Sequence, residues 1–350
     1  MTIMADEIRQ TPAVLRDQLA MTAPALEAVA EAVWRTKPRW VSIVARGTSD
    51  HAAIYARYLL ETQLGWPVAL ASPSVTTVYR APTDWSGGFV LAVSQSGQSP
   101  DLVAVVEAAR LGGALTVAVT NVADSPLERA ALLSVPCMAG EERAVAATKS
   151  YVAELAAVAG IVAALVPASE LAGRLGQVPD VLEATLAASI EWLGSAGREL
   201  VETVAVAGRA LVVSRGFNLA TALETALKLK ETGRIFAEGY SSADLLHGPI
   251  ALASAGFPTL AFRPDGPIGD GIDVAVERAK SRGARTWQVG GAEVVGAGDA
   301  LAIEALAALP ESLTPLALIL PGQLLAEAVG LRLGLSPDAP EGLSKVTLTR

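Results

Sequence analysis

The chain has one cysteine, Cys137, and two histidines, His51 and His247, in 350 residues. A single thiol excludes an internal disulfide and any cysteine-rich metal site, and two imidazoles exclude a multi-histidine metal centre. Cys137 lies in a short apolar stretch, where a small core residue is expected rather than a nucleophile. Aromatic residues are scarce, at 5%, and positive charge is in deficit: 27 Lys and Arg against 36 Asp and Glu leave a net charge of −9. That balance argues against general affinity for nucleic acid or an anionic membrane surface. Long uninterrupted apolar runs are missing too. The stretch 152–167 is interrupted by Glu154 and is short for a membrane span, and residues 1–15 carry Asp6, Glu7, Arg9 and Pro12 with no apolar signal core. The expectation is a soluble cytoplasmic protein with no membrane segment. Neither a glycine-rich dinucleotide fingerprint nor a Walker lysine is present, so a nucleotide is not the expected ligand.

What the chain does have is apolar bulk, 51% of its residues, rich in Ala, Val and Leu. The length suits two domains of ordinary size. In the first half, apolar runs near 41–45, 67–71, 88–93 and 115–119 alternate with helical segments, and 132–137 offers a fifth strand. The second half repeats the alternation more faintly, at 210–214, 257–262 and 284–289, with helices expected at 151–165 and 178–193 between the halves. A strand run, an Arg-Gly turn and a long helix occur twice, at Arg46-Gly47 before helix 52–62 and at Arg215-Gly216 before helix 219–232. This pattern predicts an α/β protein of two related, doubly wound parallel-sheet domains in tandem. The segment 336–350, with Pro337, Asp338, Pro340 and Gly342, reads as a looped arm rather than a helix.

Ligands of open α/β sheets sit beyond the carboxyl ends of the strands, near a topological switch point. Two polar loops fall at such ends: Thr48-Ser49, and Ser94-Gln95-Ser96-Gly97-Gln98-Ser99. Small hydroxyl and amide side chains around a glycine, just before a helix, suit a phosphate or polyol, because helix N–H groups favour an anion and hydroxyls donate without adding charge. The plainer alternative is a capped connection, with Ser99 as N-cap before Pro100. Glu224, Lys228 and Glu231 stand at i, i+4 and i+7 on one helix face, which by spacing alone suits a solvated ion-pair surface. His247 either satisfies local backbone groups or serves as the near-neutral acid–base group of the second half. Lys345, by itself, is a tail lysine with no assigned task.

Together these residues resemble the sugar isomerase (SIS) domain family in its tandem form, which includes the isomerase half of glutamine–fructose-6-phosphate aminotransferase and stand-alone glucosamine-6-phosphate deaminases. The matching strings are Arg46-Gly47-Thr48-Ser49-Asp50-His51-Ala52, the 94–99 loop, Ala146-Ala147-Thr148-Lys149, the stretch 222–231, Leu246-His247-Gly248-Pro249-Ile250-Ala251-Leu252 and Leu343-Ser344-Lys345-Val346-Thr347, in the family's order. The resemblance implies flavodoxin-like αβα domains: a helical lead-in at 1–36, a first domain at 37–170 with the phosphate loops, a linker helix at 171–197, a second domain at 198–335, and a tail at 336–350 closing the active site.

The resemblance further implies that Thr48, Ser94, Gln95, Ser96 and Ser99 bind the phosphate of a hexose 6-phosphate, with Ser49 close by. Glu231 would transfer the proton between C1 and C2, His247 would assist ring opening, and Lys345 would hold or covalently engage the open-chain carbonyl carbon. It also implies a homodimer with shared active sites, the histidine coming from the neighbouring subunit. His51 is expected to orient its loop, and Thr148 and Lys149 to be structural as readily as ligand-binding. Gln98-Ser99 replace the synthase's usual Glu-Thr, and Ala147 a usual serine; these departures bear on substrate identity rather than fold.

No counterpart of the aminotransferase's glutaminase domain is seen. The expectation is therefore an amino-sugar phosphate isomerase and deaminase, converting glucosamine 6-phosphate to fructose 6-phosphate and ammonia with no metal or redox cofactor. The alternatives are a glutaminase-less glucosamine-6-phosphate synthase, a fructosamine-6-phosphate deglycase, a deaminase for the galactosamine epimer, and a non-catalytic sugar-phosphate sensor.

Overall fold

The computed structural model describes residues 1–294 and 299–345, so Val346 and Thr347 of the tail motif lie outside the described residues. The first sheet consists of β1 (Trp40–Val44), β2 (Val68–Leu70), β3 (Gly88–Ser94), β4 (Leu115–Thr120) and β5 (Leu133–Pro136), in the order β2-β1-β3-β4-β5. Every pairing is parallel. β3 and β4 are buried along their whole length, which is why they read as continuous apolar runs rather than as alternation. The helices of this half are α1 (Ile3–Met21), α2 (Ala23–Thr36), α3 (Thr48–Leu64), α4 (Pro73–Thr77), α5 (Pro100–Leu111), α6 (Pro126–Ala130), α7 (Lys149–Leu165) and α8 (Glu170–Arg174).

After α9 (Val178–Gly194) and α10 (Arg198–Ala207), the second half builds β6 (Arg209–Ser214), α11 (Leu219–Gly233), β7 (Phe236–Ser241), α12 (Ser242–Leu246), β8 (Pro258–Arg263), α13 (Pro267–Ser281), β9 (Arg285–Gly290), β10 (Ala300–Ala302) and α14 (Thr314–Arg332). Its parallel sheet runs β10-β9-β8-β6-β7. Counted within each sheet, both follow the order 2-1-3-4-5, the doubly wound pattern whose switch point lies between the first and third strands. Two strands escaped the sequence pattern. β7 is an edge strand carrying Glu238 and Gly239, and its glycine is required because a Cβ there would meet the Leu223 backbone of α11 at 2.8 Å. β10 has only three residues, too few to show a period.

The chain divides into two compact units. One comprises Ala13–Glu142, Lys149–Gly176 and the tail residues Ser344 and Lys345, and holds the first sheet; the other comprises Met1–Pro12, Arg143–Thr148 and Gln177–Leu343, and holds the second. The stretch Glu311–Arg332, which includes α14, is long and apolar enough to cross a membrane, but 89% of its apolar 18-residue window is buried, and α14 packs on α11, α9 and α10 as a core element. Cys137 is buried as expected, and its thiol is pushed well above the usual range by burial and by the charges of Glu154 and Glu142. From residue 336 to 345 the tail forms no helix or strand, the looped arm its composition predicted.

Candidate active site

The switch point of the first sheet brings the carboxyl ends of β1 and β3 side by side, and both polar loops leave from there. The loop after β3 is pinned by its own backbone: Gln95 O accepts from Asn121 N at 3.1 Å and Gly97 O from Leu127 N at 3.0 Å. Gly97 has φ +61°, and a Cβ there would collide with Ser125 Oγ, so both conformation and space demand glycine. Ser94 Oγ accepts the Gly97 N–H at 3.2 Å, and Ser96 Oγ accepts the Gln98 N–H at 3.3 Å. Each oxygen is thus engaged while its proton finds no acceptor among the described residues, the polarity that suits an incoming anion. Ser99 occupies the N-cap position of the 12-residue helix α5, yet its hydroxyl makes no capping bond. Capping therefore does not account for this serine.

Thr48 opens α3, and Ser49 follows it, but Ser49 has the opposite polarity. Its hydroxyl donates to Glu154 Oε1 at 2.8 Å, and Glu154, on α7, is wholly buried. The proton that a phosphate oxygen would need is thus committed to a carboxylate. Next to it, burial pushes the Asp50 carboxyl up, while His51 and Arg46 pull the other way. Arg46 itself reaches the buried Asp101 in the first turn of α5.

Lys345 belongs to this same unit. Its Nζ donates to Glu142 Oε2 at 2.8 Å, and the same buried carboxylate accepts from Ser150 Oγ at 2.6 Å and Ser150 N at 3.1 Å. The tail lysine is therefore held at a defined place, only a quarter exposed. Lys149 is buried and its Nζ donates to Glu141 O at 2.6 Å, a structural contact.

The second unit supplies Glu231 and His247. On α11, Lys228 and Glu224 are completely buried, 3.2 Å apart, and Lys228 Nζ bonds Glu231 Oε2 at 2.5 Å. The solvated ion-pair face suggested by spacing alone is absent, because this face of α11 turns inward and the helix packs against α14 and β7. Glu231 alone of the three reaches solvent, at 23% exposure. Burial by itself would lower the Lys228 pKa; the Glu224 and Glu231 carboxylates outweigh it and hold the ammonium above the usual lysine range. His247 ends α12, its backbone N–H bonded to Asp244 O at 3.1 Å; its side chain is exposed and bonds no described residue. Local backbone satisfaction therefore does not explain this imidazole.

Glu142, Glu154 and Asp101 did not stand out in the sequence as supporting residues. Glu154 had left one sign: a carboxylate inside a helix otherwise fit for burial demands a partner. Among the described residues, the switch point of the second sheet has no matching cradle. There, β8 ends in Arg263, whose guanidinium bonds Asp273 at 3.0 Å and Glu293 at 2.7 Å, an ion network rather than a set of hydroxyl donors.

Comparison with known proteins bears on the family and the fold. The SIS domain family matches residues 36–164 and 203–290. Glutamine–fructose-6-phosphate aminotransferase [isomerizing] of Methanothermobacter thermautotrophicus is 35% identical over 346 residues, covering 98% of this chain and 56% of that protein. Its namesake from Thermococcus kodakarensis is 32% identical, over 98% of the chain and 57% of the relative. The chain thus spans about half the length of the curated relatives it matches. Among solved structures, a candidate phosphosugar isomerase from Silicibacter pomeroyi is 34% identical, with a TM-score of 0.83 over 97% of this chain and all of that one. The C-terminal domain of the Francisella tularensis glucosamine-fructose-6-phosphate aminotransferase shares the fold, at TM-score 0.85 and 24% identity over 97% of this chain and 98% of that one. With both halves matched, the chain belongs to the SIS domain family, as two α/β domains in tandem.

Proposed function

We propose that this protein is an amino-sugar 6-phosphate isomerase and deaminase, taking glucosamine 6-phosphate and water to fructose 6-phosphate and ammonia. The observation that carries the proposal is Glu231, a partly exposed carboxylate fixed at 2.5 Å by a lysine that is itself fully buried. An aldose–ketose shift needs one oriented base that removes a proton from C2 and returns it to C1 on the same face, and a carboxylate locked by its neighbour is pre-organised for that. The names of the curated relatives, and the 34% identical candidate phosphosugar isomerase, support the substrate class.

In this scheme Thr48, Ser94, Gln95, Ser96 and Ser99 hold the phosphate, with Ser49 beside them. His247 moves protons at the ring oxygens and opens the pyranose. Glu231 takes the C2 proton, leaving an enolamine, and delivers a proton to C1. Water then adds to the resulting C2 imine; its oxygen stays as the ketone and the nitrogen leaves as ammonia. Lys345, held by Glu142, stands beside the open-chain carbonyl as a cation that stabilises the negative charge developing on its oxygen. The bookkeeping of protons and electrons closes without a redox partner. A cytoplasmic homodimer, with His247 provided by the neighbouring subunit, is part of the proposal; the exposure of that imidazole supports it.

Ammonia release from glucosamine, galactosamine and fructosamine 6-phosphates tests it. Glucosamine 6-phosphate should turn over. Release from fructosamine 6-phosphate alone would make the protein a deglycase, and from the galactosamine compound alone a deaminase of that epimer. Net amination of fructose 6-phosphate by ammonia would indicate a synthase. Binding without any turnover would leave a sensor. Glu231→Gln should abolish turnover while keeping binding within about tenfold.

A further inference from the structure

We propose that Arg46 is a phosphate-recognition residue, the cationic member of the hydroxyl cradle at the β1/β3 switch point, held in place by the buried Asp101. The assignment rests on the sugar-phosphate function proposed above. Val44 of β1 pairs with Ala92 of β3, so Arg46 and Ser94 each stand two residues beyond a matched pair, at the same end of neighbouring strands. Arg46 Nε and Nη2 both lie 2.9 Å from Asp101 Oδ2. Asp101 is 2% exposed, sits in the first turn of α5, and fixes itself by accepting the Leu102 N–H on Oδ1 at 2.9 Å. The guanidinium is thereby parked at the opening turn of the helix that begins directly after Ser99.

Two features point outward from this clamp. The Arg46 side chain is 48% exposed and feels the Asp50 carboxylate as well, but among the described residues its bonds go to Asp101 Oδ2 through Nε and Nη2, which leaves Nη1 available to donate. Arg46 is also the only Lys or Arg in residues 46–50 and 94–101. A phosphate monoester carries close to two negative charges at neutral pH, and Asp101 would repel it at this helix start. Arg46 cancels that repulsion and still offers N–H groups in the planar geometry that phosphate oxygens accept. A clamp that merely ties two loops together would not need a half-exposed guanidinium with a spare edge.

The test is calorimetric titration of inorganic phosphate and of glucosamine 6-phosphate into wild type, R46K, R46Q and the double variant R46Q/D101N. The double variant removes both charges and leaves no uncompensated buried carboxylate, so a wild-type melting temperature shows that it folds. We expect R46Q and R46Q/D101N to bind both probes at least about tenfold more weakly, with a shallower salt dependence, and R46K to recover part of the loss. Phosphate binding by the folded double variant within about twofold of wild type would overturn the role of Arg46 while leaving the sugar-phosphate site standing. A wild-type protein that binds neither probe would overturn both.

Discussion

At the scale of the residue, the direction of hydrogen bonds separates serines that look alike in sequence. Ser94 and Ser96 accept from their own loop and leave their protons without an acceptor among the described residues, the polarity the proposed phosphate site needs, whereas Ser49 spends its proton on Glu154. Ser96→Ala should therefore raise KM for the 6-phosphate about tenfold with little change in melting temperature. Ser49→Ala should do the reverse, changing KM less but costing about 1–3 kcal/mol by stripping one hydrogen bond from a buried carboxylate. Steady-state kinetics beside thermal melts of the two variants check this. Lys228→Met takes the ammonium away from the buried Glu224 carboxylate and should destabilise the fold by about 3–5 kcal/mol in chemical denaturation. Because its neighbours hold the Lys228 pKa above the free value, the stability this ammonium contributes is complete below the unfolded lysine pKa of about 10.4 and is lost as pH rises through the higher folded value. The melting-temperature gap between wild type and Lys228→Met should accordingly stay constant from neutral pH to about 10 and narrow above it.

At the scale of the element, close approach decides which positions tolerate a side chain. α14 passes so near α11 that a Cβ on Gly322 would run into Thr225. Gly322→Ala should cost about 1–3 kcal/mol through overpacking, measured as a shift in denaturation midpoint with an unchanged slope. Most elements were legible in the sequence for a physical reason. Strands covered on both faces, such as β3, β4 and β8, carry predominantly apolar runs, and α3, α7, α9 and α11 fall where helical segments were expected. β7 was hidden because an edge strand with Glu238 and Gly239 carries no apolar signature, and β10 because three residues hold no pattern. The burial of the Glu224–Lys228–Glu231 face was also invisible. Spacing puts three charges on one side of a helix, but only packing against α14 and β7 decides whether that side meets water.

At the scale of the whole molecule, a repeated Arg-Gly turn announced two sheets of the same winding, and both have it. Among the described residues only the first switch point has a hydroxyl cradle; at the other, β8 leads into Arg263 and its carboxylates, a difference written in the loops and not in the strands. Lys345 meets Glu142 across 203 residues of chain, a pairing that no local pattern could reveal; the resemblance of the tail motif was the one sign that this lysine mattered. If each site borrows His247 from a neighbouring subunit, inactive Glu231→Gln and His247→Gln chains, refolded together, should regain turnover in mixed dimers, while either alone stays silent. The central step can be observed directly with glucosamine 6-phosphate deuterated at C2. Wild type should yield ammonia and fructose 6-phosphate bearing part of the label at C1, and Glu231→Gln should yield neither; label reaching C1 at the wild-type rate in the Glu231→Gln protein would contradict the assignment of Glu231 as the base.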